Sequence, residues 1–298
     1  MIDGWLFFSL IASLLFAVTE LFDKFFVDRE IEDYIFGGII YALPLVIVMT
    51  ILGFVKSSLI YHFQSILFGS IAGGLYFTVL VLYLKGISQE DVSRFIPTLS
   101  LNTVFIAVIS VFLLGESLGY FIYTGILMTV TGAFLISLEN PLSSLKEFQS
   151  GKAVFLALGI AALQAIRDIL IKTSSNNVEI WTIVLWMGIG GTFISFLNLI
   201  MFRKDRVGEI KDHKRFIGVG GIRSLGYLSF MIAISLGSVT MASAVLKTNG
   251  MFVFFGATIL SISDRMLNES KERKVILQKF LASGIIVSGV IILELFSA

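Results

Sequence analysis

Ionisable side chains interrupt the apolar stretches of this 298-residue chain, among them Glu20, Lys24, Arg167, Asp168, Lys172, Arg223 and Lys247. A charge at mid-bilayer costs at least about 2.5–3.5 kcal/mol on insertion scales, so each needs a partner, water or a ligand. Glu20 and Lys24 are four residues apart and share a helix face, and Asp168 and Lys172 repeat that spacing. Two readings stand: interfacial ion pairs with the lysines snorkelling to the headgroups, or two carboxylates at a cavity that balance charge or take up a proton. Arg167 and Asp168 are adjacent, so helix geometry predicts different faces and no direct neutralisation between them. Arg223 and Lys247 each lie about nine residues into an apolar stretch, and neither has a carboxylate three or four residues away. Their partners must come from another helix, a water cavity or a solute. Two deep cations favour a carboxylate- or phosphate-bearing solute. Tyr76, Tyr227, Asn102 and Asn249 add polar groups at mid-stretch. Each tyrosine hydroxyl needs a partner when buried, and interhelical hydrogen bonding by itself would account for the asparagines.

The elements that must position these residues are helices. The sequence is 56% hydrophobic and 14% charged, with a mean hydropathy of +0.94. A soluble domain is nearer a quarter charged. Ten stretches reach the length a helix needs to cross lipid: 5–27, 35–54, 65–86, 92–114, 119–138, 152–173, 179–202, 214–236, 238–263 and 276–296. Unpaired backbone groups are excluded from lipid and barrel-type alternation is absent, so an all-α membrane protein with ten transmembrane helices is expected. The first stretch has no basic residue before it and is too long for a signal peptide, so it is read as a retained span. Gly115–Leu118 and Leu236–Ser238 predict tight hairpins.

The two halves of the sequence correspond. Leu15–Lys24 aligns with Leu163–Lys172, placing Glu20 on Asp168 and Lys24 on Lys172. Tyr76 falls on Tyr227, Gly86 on Gly237, and Thr131–Gly132 on Ser288–Gly289. Five spans per repeat invert the second relative to the first. The boundary falls in the polar stretch Glu139–Gly151, giving units 1–145 and 146–298.

The segment from Tyr76 to Ile136 resembles the EamA-type branch of the drug/metabolite transporter superfamily. Pro97, Gly115-Glu116 and the spaced glycines Gly125 and Gly132 carry the likeness, and Lys24 also fits. The second half lacks the proline, with Lys247 near that position. The resemblance implies a ten-helix carrier of small metabolites.

Net charge is +1, so no bias points to nucleic acid. With no cysteine and two histidines in connecting segments, no metal, cofactor or catalytic set is expected. Neither a phosphate-binding glycine loop nor a hydrolase motif occurs, so an enzyme is not expected. The expected partners are a small solute and the lipid bilayer of a cell membrane, and a homodimer stays open. Of the 22 Lys and Arg, 17 fall after odd-numbered stretches, which places both termini outside, whereas the family habit is both inside.

The expected function is secondary active or facilitative transport of an anionic or zwitterionic solute such as an amino acid. Arg223, Lys247, Tyr76, Tyr227, Asn102 and Asn249 would bind it, with Glu20, Asp168, Lys24 and Arg167 for coupling or charge balance. The alternative is a non-transporting accessory or lipid-handling subunit, whose buried charges would all pair internally.

Overall fold

A computed structural model describes residues 3–30, 34–57, 62–89, 95, 98–116, 118–137, 151–201, 213–263 and 273–296. Eleven helices lie in this set: α1 (Gly4–Glu30), α2 (Tyr34–Lys56), α3 (Phe63–Gln89), α4 (Asn102–Leu113), α5 (Tyr120–Ser137), α6 (Gly151–Ser175), α7 (Ile180–Met201), α8 (His213–Leu236), α9 (Val239–Leu246), α10 (Asn249–Ser263) and α11 (Arg273–Leu295). No strand occurs among the described residues.

Eight of the apolar segments are long enough to cross a membrane, Val239–Ile259 of α9 and α10 counting as one. The other two expected stretches differ for separate reasons. The fourth is described as helix only in part, with α4 itself 12 residues long, and Pro97 lies outside the described residues. The sixth is the 25-residue α6, which carries Arg167, Asp168 and Lys172 in its second half.

The main packings join the first half of the sequence to the second: α1 on α8, α2 and α3 on α7, α3 on α6, and α5 on α11. In lipid, close approach depends on small residues rather than on a hydrophobic drive. A Cβ built on Gly125 would stand 2.9 Å from the Gly289 carbonyl oxygen, and one on Gly289 would stand 2.8 Å from that of Gly125. Each glycine thus makes room for the other's backbone. Gly115, with φ of +65°, ends the fourth stretch in a left-handed conformation that residues with a Cβ seldom adopt. The expected hairpin between the eighth and ninth stretches is present. Ser238 caps α9 by accepting from the backbone N–H of Thr240 and Met241 at 3.2 and 3.3 Å.

The ninth stretch is not continuous. It breaks at Lys247 and Thr248, whose N–H groups bond three residues back, to Ala244 and Val245. Ser100 and Leu101 interrupt the fourth stretch likewise, with Leu101 N–H bonding to Thr98 O. Both breaks immediately precede an asparagine, Asn249 in one case and Asn102 in the other. Short tightened turns of this kind inside a helical run mark hinges or strained sites.

Candidate functional site

A cavity of about 130 Å³ lies between the helices where these breaks occur. Glu20, Tyr76, Asn102, Arg167, Asp168, Arg223, Tyr227, Lys247 and Asn249 all line it. Nine of the ten residues singled out by sequence therefore converge. The tenth, Lys24, lies in α1, and its side chain falls outside the described set, so the expected Glu20–Lys24 pair does too.

The lining residues hold one another in three groups. In the first, the α6 pair corrects the expectation that Arg167 and Asp168 would avoid each other. Arg167 Nε donates to Asp168 Oδ1 at 2.8 Å, and Nη2 lies 2.8 Å from the same oxygen. The Cβ atoms do diverge, but the long arginine stem folds back across the turn. Its guanidinium also stands over the Tyr227 ring at 4.7 Å and the Tyr76 ring at 5.8 Å. Those two rings contact each other at a centroid distance of 4.6 Å. Asp168 Oδ2 and the Tyr227 hydroxyl are buried with no partner among the described residues.

The expected Asp168–Lys172 pair does not form. Lys172 Nζ donates instead to the carbonyls of Ile234 at 3.0 Å and Gly237 at 2.7 Å. A lysine at the carboxyl end of α8 satisfies carbonyls that lack an intrahelical donor, and that need outweighs the i,i+4 spacing.

In the second group Arg223 finds a carboxylate that sequence reading passed over. Its Nη1 donates to Asp23 Oδ2 at 2.9 Å, joining α8 to α1. Tyr41 of α2 donates to Asp23 Oδ1 at 2.6 Å, and Tyr83 of α3 donates to Oδ2 at 3.4 Å. The guanidinium carbon lies 5.1 Å from the Tyr83 ring centroid, 5.5 Å from that of Tyr41 and 5.8 Å from that of Phe16. Asp23 lies inside the first apolar stretch, where the cost of a charge in lipid that singles out Glu20 applies to it equally. Nothing in the sequence tied it to a residue 200 positions away.

The third group carries charges matched only by neutral amides. Lys247 Nζ donates to Asn102 Oδ1 at 2.5 Å. Asn249 Nδ2 donates to Glu20 Oε1 at 2.7 Å. Both asparagines sit at the first turn beyond a helix break, which aims them into the cavity. Lys247 and Glu20 form no ion pair among the described residues.

Beyond the cavity, toward the end where α1 begins, a polar seam joins the fourth and ninth stretches. Thr103 Oγ1 meets Ser243 Oγ at 2.8 Å, and Ser110 Oγ meets Thr240 Oγ1 at 2.9 Å. Glu116 accepts from Ser238 at 3.0 Å and from Thr240 at 2.8 Å. No group of His, Cys, Asp and Glu among the described residues could hold a metal ion.

No curated protein matches the sequence. A solved crystal structure, described only as that of a protein, aligns over 100% of this chain and 98% of its own, with a TM-score of 0.74 at 13% identity. At that identity the likeness concerns the fold alone. The EamA-like transporter family model matches residues 3–138. Its members transport small solutes across membranes and are not enzymes. Together with eight apolar helices, this makes the chain a multi-pass integral membrane protein. Over residues 3–138 the chain is therefore similar to the EamA-like transporter family, a domain of the drug/metabolite transporter superfamily.

Proposed function

We propose that the protein is a secondary transporter of a small zwitterionic solute of the amino-acid kind, resident in a cell membrane. One observation carries this reading. Among the charged residues lining the cavity, Lys247 and Glu20 are each hydrogen-bonded to a neutral amide and form no ion pair among the described residues. Ionised groups facing a low-dielectric space are stable there when something charged completes them. A solute carboxylate at Lys247 and a solute ammonium at Glu20 would do so together. Arg223 and Arg167 already hold Asp23 and Asp168. They therefore shape the field of the site, while Tyr76 and Tyr227 supply an aromatic wall.

The architecture proposed for this activity is two inverted five-helix repeats, 1–145 and 146–298, rocking about the cavity to give alternating access. Sequence correspondences support it. Tyr76 and Tyr227 are repeat mates that touch. Gly132 is the mate of Gly289, and a Cβ on Gly132 would stand 2.9 Å from the carbonyl oxygen of Ala282, which corresponds to Gly125 at the same offset. The Gly125–Gly289 contact thus recurs with the two repeats exchanged. The fourth and ninth stretches, which correspond in order between the repeats, each break ahead of an asparagine, Asn102 and Asn249.

A non-transporting accessory subunit would be expected to close all of its buried charges internally. Lys247 and Glu20 argue against that reading.

Thermal-shift titration of the purified protein with amino acids, monocarboxylates and monoamines tests the proposal. Zwitterions should stabilise it more than either single-charge class. Lys247→Gln and Glu20→Gln should each weaken zwitterion binding at least about tenfold, equivalent to about 1.4 kcal/mol. Equal binding of all three classes, or variants with unchanged affinity, would sink the assignment.

A further inference from the structure

We infer that Asp23 is the coupling carboxylate of the transport cycle, exchanging its hold on Arg223 for a proton as α1 and α8 separate. This rests on the transporter reading but not on where the solute binds, because Asp23 does not line the cavity. Three observations support it.

First, the pair spans elements that must move. Asp23 is on α1 and Arg223 on α8, one from each half of the sequence, and α1 packs mainly on α8. Any relative motion of the halves changes this contact. Second, both partners have support that remains after separation. The Asp23 carboxyl keeps two phenol donors, Tyr41 and Tyr83, from helices of its own half. The aromatic faces around Arg223, Phe16, Tyr41 and Tyr83, belong to the half that carries Asp23, but Arg223 itself lines the cavity, whose water would solvate its guanidinium on separation. A guanidinium has five N–H donors; Arg223 hydrogen-bonds Asp23 and Tyr41 from Nη1 and also the hydroxyls of Tyr76 and Tyr83, and the donor that leaves Asp23 can turn to cavity water. Third, charge must balance. A buried carboxylate stripped of its cation takes up a proton rather than remaining ionised. The proton would come from water on the side to which the cavity opens and return to water when the pair re-forms. No other bond is made or broken. The charged and titratable groups around Asp23 are Tyr41 from α2, Tyr83 from α3, Arg223 from α8 and Glu20 one turn back on α1. Lys247 lies across the cavity, at the junction of α9 and α10. Among the described residues, Arg223 is the one cation in contact with Asp23.

The test uses the full chain in proteoliposomes with radiolabelled alanine and leucine. An imposed gradient, acid on the donor side, should drive accumulation that approaches tenfold per pH unit for one proton per solute. Asp23→Asn should abolish that accumulation and keep exchange of labelled for unlabelled solute within about twofold of the parent. Asp23→Glu, which keeps an ionisable carboxyl, should restore accumulation. A parent protein that exchanges solute but ignores the gradient overturns the inference, and so does an Asp23→Asn protein that still accumulates. Absence of any exchange in the parent would count against the zwitterion reading instead. A solute-free measurement then decides the coupling question. Infrared difference spectra between alkaline and acid buffer should show a protonated-carboxyl band that Asp23→Asn removes. An identical band in the variant, or no band in the parent, overturns the inference.

Discussion

Two buried ion pairs flank the cavity and differ in what holds them. Arg167 and Asp168 are neighbours on α6 and travel as one body. Asp23 and Arg223 belong to α1 and α8 and meet only because those helices pack. The first pair therefore contributes a fixed local field whatever the helices do. The second reports, and can govern, how the two halves sit. Charge in a membrane protein is thus not one category. An intrahelical pair hides two charges from lipid, whereas an interhelical pair makes their concealment conditional on a conformation.

This contrast can be broken by substitution. Arg223→Ala leaves Asp23 buried without its cation. The expected loss is about 3–5 kcal/mol, as for other buried pairs stripped of one member, and thermal unfolding in detergent measures it. The double variant Asp23→Asn with Arg223→Gln should recover much of that loss, because no uncompensated charge remains. A double variant as unstable as Arg223→Ala would show that shape rather than charge is responsible. Asp168→Asn should cost less, about 1.5–3 kcal/mol, the usual contribution of a hydrogen bond to a charged group. The amide oxygen still accepts from Arg167, whose guanidinium keeps the Tyr227 face. The smallest effect is expected for Tyr41→Phe, which removes one donor to Asp23 and should cost about 0.5–1.5 kcal/mol. If Tyr41→Phe proved as severe as Arg223→Ala, the phenol and not the guanidinium would be what keeps Asp23 in place.

The residues of the site were legible because they violate their surroundings. Glu20, Arg167, Asp168, Arg223 and Lys247 stand out in apolar stretches, and a charge in lipid demands an explanation. Their pairing was not legible. The i,i+4 rule suggested Asp168 with Lys172, yet uncapped carbonyls of α8 take the lysine. Residue adjacency argued against Arg167 with Asp168, yet arginine's reach overrides the divergence of the Cβ atoms. Asp23 went unnoticed because its partner is remote in sequence. The break at Lys247 was also hidden, since neither glycine nor proline marks it. Asn102 and Asn249 were read as interhelical hydrogen-bond formers, which they are, but each completes a charged group inside the cavity.

By itself the sequence determined that this chain forms membrane-crossing helices and that its few embedded charges must be satisfied away from lipid. Both follow from properties summed over single stretches: length, apolarity and the cost of an unpaired polar group. Only the tertiary structure decided which charge meets which. In lipid a helix that is apolar on nearly every face carries little directional signal, so the choice of neighbour rests on small residues such as Gly125 and Gly289 and on shape. Partners such as Asp23 and Arg223 are fixed by that packing, and no local pattern encodes it.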